Sequence, residues 1–154
     1  MLSLAARALP ALLFLPLVWL FFLSYLEYLE TGAGFGVNPD EAFVKYLGEW
    51  SIRILLVAYS ISPVSRVFGW RALAKMRRFI GLTAFMYVLL HLTSYVLLYI
   101  ELDWGVLLED VIERKYVIVG FLAFFCLLFM TITSTNGWKK RLGSNWRALH
   151  RLIH

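Results

Sequence analysis

Apolar residues run along this chain in four long blocks, with polar and charged residues gathered between them. The blocks are Ala8–Leu26, Trp50–Ile61, Ile80–Ile100 and Tyr116–Thr133. A helix rises about 1.5 Å per residue, so roughly 20 apolar residues cross a hydrocarbon core of about 30 Å. The second block reaches that length only when extended to Val67. It then carries Arg53, whose charged head can snorkel to the headgroups, and Pro63, which can kink a membrane helix without ending it. The pattern predicts an all-α fold, a polytopic membrane helix bundle with four complete spans.

Beyond the fourth block the sequence reads Trp138-Lys-Lys-Arg-Leu-Gly-Ser-Asn-Trp-Arg-Ala-Leu-His-Arg-Leu-Ile-His154. Gly143 followed by Ser144 or Asn145 gives a break and an N-cap, so a new helix is expected from about Trp146. Arg147 and Arg151 place its first turns at the membrane surface. A helix entering there needs some fifteen further apolar residues. The expectation is one domain over 1–154 that stops inside a fifth span.

Composition agrees with a membrane chain: 61% of residues are hydrophobic and mean hydropathy is +0.73. An ordinary soluble domain is excluded. Arg7 ahead of the first block imitates a signal peptide. However, the run is longer than a typical signal core, and no small-x-small cleavage site follows at Ser24-Tyr-Leu-Glu-Tyr28, so a retained anchor helix is expected.

Charge then fixes an orientation. The net charge of +5 is partitioned by loop and is no nucleic-acid footprint. The first connection (Glu27, Glu30, Asp40, Glu41, Lys45, Glu49) is −4, and the second (Arg66, Arg71, Lys75, Arg77, Arg78) is +5. The third (Glu101, Asp103, Glu109, Asp110, Glu113, Arg114, Lys115) is −3, and the tail (Lys139, Lys140, Arg141, Arg147, Arg151) is +5. Lys and Arg stay on the cytoplasmic side, which puts the N-terminus inside and the acidic connections outside. Trp50, Trp70, Trp104 and Trp138 are expected near span ends, as an aromatic belt places them.

Nucleotide-binding and hydrolase motifs are missing: the sequence holds no Walker loop, GxGxxG, GxSxG or HExxH. It has no internal repeat, and its connections are too short for a nucleotide-binding domain, so an electron donor or substrate domain must be another molecule. Cys126 is the only cysteine, which rules out an internal disulfide and an iron–sulfur or zinc set, and core packing is expected of it.

The chemistry lies in the histidines. His91 sits inside the third block, about 13 residues or roughly 20 Å beyond Arg78 and somewhat past the midplane. An ionisable ring at such depth is a functional-site hypothesis by default, and imidazole is the usual protein ligand of haem iron. Tyr87, Ser94 and Tyr95 share its helical face, so this polar stripe should look into the bundle. The competing reading is a histidine hydrogen-bonded to a neighbouring helix. His150 and His154 are i, i+4 neighbours near the cytoplasmic surface. Two axial ligands must meet one iron at nearly the same height, and a partner level with His91 would fall near position 164. His91 and His150 are therefore expected at two levels, the bland alternative for His150 and His154 being interfacial histidines.

Arg77-Arg-Phe-Ile-Gly-Leu-Thr-Ala-Phe-Met-Tyr-Val-Leu-Leu-His-Leu-Thr-Ser-Tyr95 closely resembles the RR-x-x-G-L-x-x-F-x-Y-x-x-L-H-x-x-x-Y segment of the MsrQ (YedZ) family, which has a ferric-reductase-like transmembrane domain. Three collinear blocks resemble the same family: Gly48-Glu-Trp-Ser-Ile-Arg-Ile-Leu-Leu with Ser62-Pro-Val-Ser-Arg66, Asp103–Tyr116, and Thr133-Ser-Thr135 with Arg141–Ile153. The resemblance implies a six-helix bundle binding b-type haem in the bacterial inner membrane, with flavin mononucleotide (FMN) or a quinone in electron entry. It implies electron delivery to a periplasmic molybdopterin-containing methionine-sulfoxide reductase. Such a chain is an electron-transfer subunit rather than the catalytic one. His91 matches the third-span haem ligand and His150 the first fifth-span ligand. The family has Tyr where this chain has His154, so no role passes to that position. The family's further histidine, about a dozen residues after His150, has no counterpart here.

Arg77 and Arg78 stand where they could attract an anionic flavin phosphate or haem propionates. The alternative is a pair that only sets topology. The acidic outer connection with Trp104 is either a docking surface for the periplasmic partner or a solvated loop. Two rival functions remain at this point: a metal-ion reductase on the same haem bundle, and a haem-free membrane scaffold or assembly protein.

Overall fold

The computed structural model describes residues 2–142 and contains helices and short connections, with no strand among the described residues. Its elements are α1 (Leu2–Leu29), α2 (Pro39–Val67), α3 (Arg71–Ser94), a π-helical turn (Tyr95–Tyr99), α4 (Trp104–Glu113), α5 (Lys115–Thr133) and α6 (Asn136–Leu142). The chain divides into two compact units, Met1–Asp103 and Trp104–His154.

Among the described residues, three stretches are long and apolar enough to cross a membrane: Ala11–Leu29, Leu73–Tyr99 and Lys115–Thr133. They correspond to the first, third and fourth apolar blocks. The fourth block, Tyr116–Thr133, matches α5 to within a residue. The second block behaves differently. It lies within a single helix of 29 residues that runs through Pro63, long enough to span but less apolar than the other three. Helix α2 starts at Pro39, so the acidic stretch expected as a loop up to Glu49 is largely its first turns. Asp40 and Glu41 in the first turn suit the positive end of the helix dipole, and Pro39 suits a first helical position. Trp50 consequently lies inside α2 rather than at its end. Arg53 is answered locally: its guanidinium bonds the Glu49 carboxylate at 2.8 Å and lies 5.0 Å from the centre of the Trp50 ring.

Within the first unit the most extensive packing is between α2 and α3. The buried residues of α2 are Val44, Leu47, Ser51, Ile54, Ala58 and Ile61. Their spacing alternates three and four, which is the seam of a helix packed along its length on a neighbour. Helix α3 answers with buried Ile80, Ala84, Tyr87 and Ser94. Helix α1 joins through two tyrosines: the Tyr87 hydroxyl donates to the Leu13 carbonyl at 2.7 Å, and the Tyr46 hydroxyl to the Pro16 carbonyl at 3.0 Å.

The connection from α1 to α2 is held by one carboxylate. Glu27 accepts the backbone N–H groups of Gly32, Gly34 and Phe35 at 2.7, 3.1 and 3.0 Å. A side chain at Gly34 would run into the Leu23 carbonyl, so the loop lies flat on α1 only because this residue has none.

In the second unit, the outer connection expected as a loop contains a helix, α4. Arg114, which follows it, pairs with Asp110 at 3.4 Å. Helix α5 buries none of its side chains. Cys126, expected in core packing, is exposed on it.

Candidate functional site

The seam between α2 and α3 positions the one histidine that the structure describes. On α3 the spacing Ile80, Ala84, Tyr87, His91, Ser94 alternates four and three, so His91 occupies a regular seam position facing α2. A side chain in such a position inserts among four residues of the facing helix spaced i, i+3, i+4 and i+7. Val44, Leu47, Gly48 and Ser51 form such a set, and the His91 ring meets α2 at its first and third members.

The first contact is a hydrogen bond, His91 Nδ1 to the Val44 carbonyl at 2.9 Å. A carbonyl only accepts, so Nδ1 carries the proton and Nε2 is left with its lone pair. Among the described residues Nε2 has no hydrogen-bond partner, so none of them competes with a ligand for its lone pair. The second contact is with Gly48, whose missing side chain leaves room for the ring. A Cβ built there would stand 2.9 Å from Cε1, 3.1 Å from Nδ1 and 3.5 Å from Nε2 of His91.

The polar stripe expected around His91 faces inward. Tyr87 is fully buried and Ser94 nearly so, and Tyr95 is half-buried. Ser94 turns its hydroxyl back to the His91 carbonyl at 2.9 Å. Directly after this pair the helix widens into the π-helical turn Tyr95–Tyr99, in which the two tyrosine rings stack with centroids 5.7 Å apart. Such turns inside helices are frequent at functional sites.

Arg77 and Arg78 lie on the same helix, Arg77 half-buried and Arg78 exposed. Fourteen residues separate Arg77 from His91, about 21 Å along α3. The arginine pair and the histidine are thus not brought together. His150 and His154 lie outside the described residues. Those described contain no cluster of three or more metal-ligating side chains. A neutral imidazole on an apolar helix has the donor chemistry that would hold a haem iron, whose remaining ligands need not come from a cluster of protein side chains.

Sequence reasoning assigned no role to Val44 or Gly48. A carbonyl leaves no trace in residue type, but a glycine inside a helical pattern is a signal that usually has a packing or functional reason.

Residues 47–154 match the family described as ferric reductase like transmembrane component. Over 142 residues the chain is 40% identical to the protein-methionine-sulfoxide reductase heme-binding subunit MsrQ of Caulobacter vibrioides, covering 92% of this chain and 65% of that protein. It is 41% identical over 141 residues to the subunit of the same name from Rhodospirillum rubrum, covering 91% and 65%. The magnetosome protein MamZ of Magnetospirillum gryphiswaldense is 38% identical over 141 residues, but only 22% of that protein is covered. The chain therefore spans just under two thirds of the length of these MsrQ relatives. No solved structure matches it.

Proposed function

Because the chain belongs to the ferric reductase like transmembrane component family, we propose that it is the b-type haem-binding, electron-carrying membrane subunit of a protein-methionine-sulfoxide reductase system. The observation that carries the proposal is the His91 ring, with Nδ1–H held by the Val44 carbonyl, so that the lone pair of Nε2 would hold the haem iron. A bound haem supplies a one-electron couple within the membrane. The chain's own contribution is to hold a neutral imidazole in one tautomer and to surround it with apolar helices that exclude water. The acceptor carbonyl fixes the tautomer and plane of the ring, as the hydrogen-bond partners of ligating histidines do.

In this proposal His150 would also hold haem iron. Arg77 and Arg78 hold a flavin phosphate or haem propionates near the cytoplasmic mouth. The donor is a quinol or a cytosolic flavin reductase, and the acceptor a periplasmic molybdopterin-containing methionine-sulfoxide reductase. The N-terminus is cytoplasmic in the bacterial inner membrane, as the basic second connection and tail require. The names of the MsrQ relatives support the haem and the reductase partner. The family's description keeps a second reading in view, reduction of a metal ion directly.

The two readings part in one assay. The full-length protein in vesicles is reduced with a quinol, and its visible haem band is followed. The proposal expects the band to decay when the soluble reductase and a methionine-sulfoxide substrate are added together, and not with either alone. A band that ignores both and decays with a ferric chelate would replace the proposal with metal-ion reduction.

A further inference from the structure

Gly48 stands opposite His91 across the α2–α3 seam, at the point where the two helices share a hydrogen bond. In an α-helix the carbonyl of residue 44 also receives the N–H of residue 48. The carbonyl that holds the His91 proton and the glycine that admits the ring are therefore one feature of α2, a single helical turn long. We propose that Gly48 is a positioning residue for His91: its bare backbone is the seat that lets the imidazole reach the Val44 carbonyl, and it thereby sets the direction of Nε2. This inference rests on the reading of His91 as a haem ligand.

The argument is steric. A Cβ at Gly48 would stand 2.9 Å from Cε1, closer than such atoms come, and 3.1 Å from Nδ1, tighter than ordinary contact. The imidazole is a rigid ring held at Nδ1 by the Val44 carbonyl, not a flexible chain end that folds aside. The ring would have to swing away from Val44, lose the 2.9 Å bond and turn Nε2 with it. Elsewhere in a helix interior, replacing Gly by Ala stabilises. At Gly120, where an added Cβ meets nothing within 4 Å, that ordinary result is expected, which makes Gly120→Ala the matched control.

The test uses the full-length protein in detergent, with and without haem. Gly48→Ala is expected to lose about 10–100-fold in haem affinity, the range seen when a ligating histidine loses its supporting partner, and to move the absorption band of whatever haem remains. Gly120→Ala is expected to match wild type in both. In haem-free protein, Gly48→Ala should lower the unfolding temperature when His91 is present and not in the His91→Ala background. If Gly48→Ala does not accumulate at all, recovery of the double variant to the level of His91→Ala supports the seat. Equal loss in both backgrounds overturns it. Wild-type affinity and spectrum in Gly48→Ala overturns it equally. Full haem retention in His91→Ala would instead remove the ligand assignment, and the haem-free comparison would still report whether Gly48 seats the ring.

Discussion

Two hydroxyls, those of Tyr87 and Tyr46, tie α1 to its neighbours. Tyr87 is fully buried, and its bond to the Leu13 carbonyl links α1 to the turn preceding His91. Tyr87→Phe keeps the ring packing and drops only this bond, at a cost of about 1 kcal/mol. A modest fall in unfolding temperature with haem content unchanged is the expected outcome, and haem loss would mean that the hydroxyl acts on the site itself. The inward direction of Tyr87, His91, Ser94 and Tyr95 was legible in the sequence, because helical periodicity alone puts them on one face. Their partners were not. Periodicity gives the face of each helix but not the register between two helices, so neither the Val44 carbonyl nor the Gly48 seat could be derived before α2 and α3 were set side by side.

The same limit explains how the elements compare with expectation. Helix α5 was legible almost to the residue because it is uniformly apolar and flanked by charges. Helix α2 was not, since its first turns are acidic and its charges interrupt the run that marks a span. Its identity lies in the alternating seam Val44, Leu47, Ser51, Ile54, Ala58 and Ile61. That seam makes a prediction: Ile54, only 2% exposed, should cost about 2–5 kcal/mol when replaced by Ala. Ile52→Ala, on the open face at 62% exposure, should cost far less. Similar losses at both positions in urea or thermal unfolding would contradict α2–α3 packing as the centre of this unit. The α1–α2 connection offers a second check on an element. Glu27→Ala removes the acceptor for Gly32, Gly34 and Phe35, so hydrogen exchange across residues 30–38 should speed up while α2 stays protected.

For the whole molecule, the proposed sidedness comes from the basic and acidic connections, which composition made legible without any structure. With Cys126 replaced by Ala, an impermeant thiol reagent should label Glu109→Cys in intact cells and reach Lys75→Cys only after lysis. The reverse pattern would invert the topology. The proposed histidine ligand was half legible: depth and chemistry singled out His91, whereas its tautomer came only with the Val44 contact. His150 and His154 lie outside the described residues and stand as sequence expectations. The measurement that bears most directly on the account is the reduced-minus-oxidised visible spectrum of the purified full-length protein beside its His91→Ala variant. Sharp α and β bands in the first, lost in a variant that still inserts in the membrane, are the predicted result. Undiminished bands in His91→Ala would contradict it.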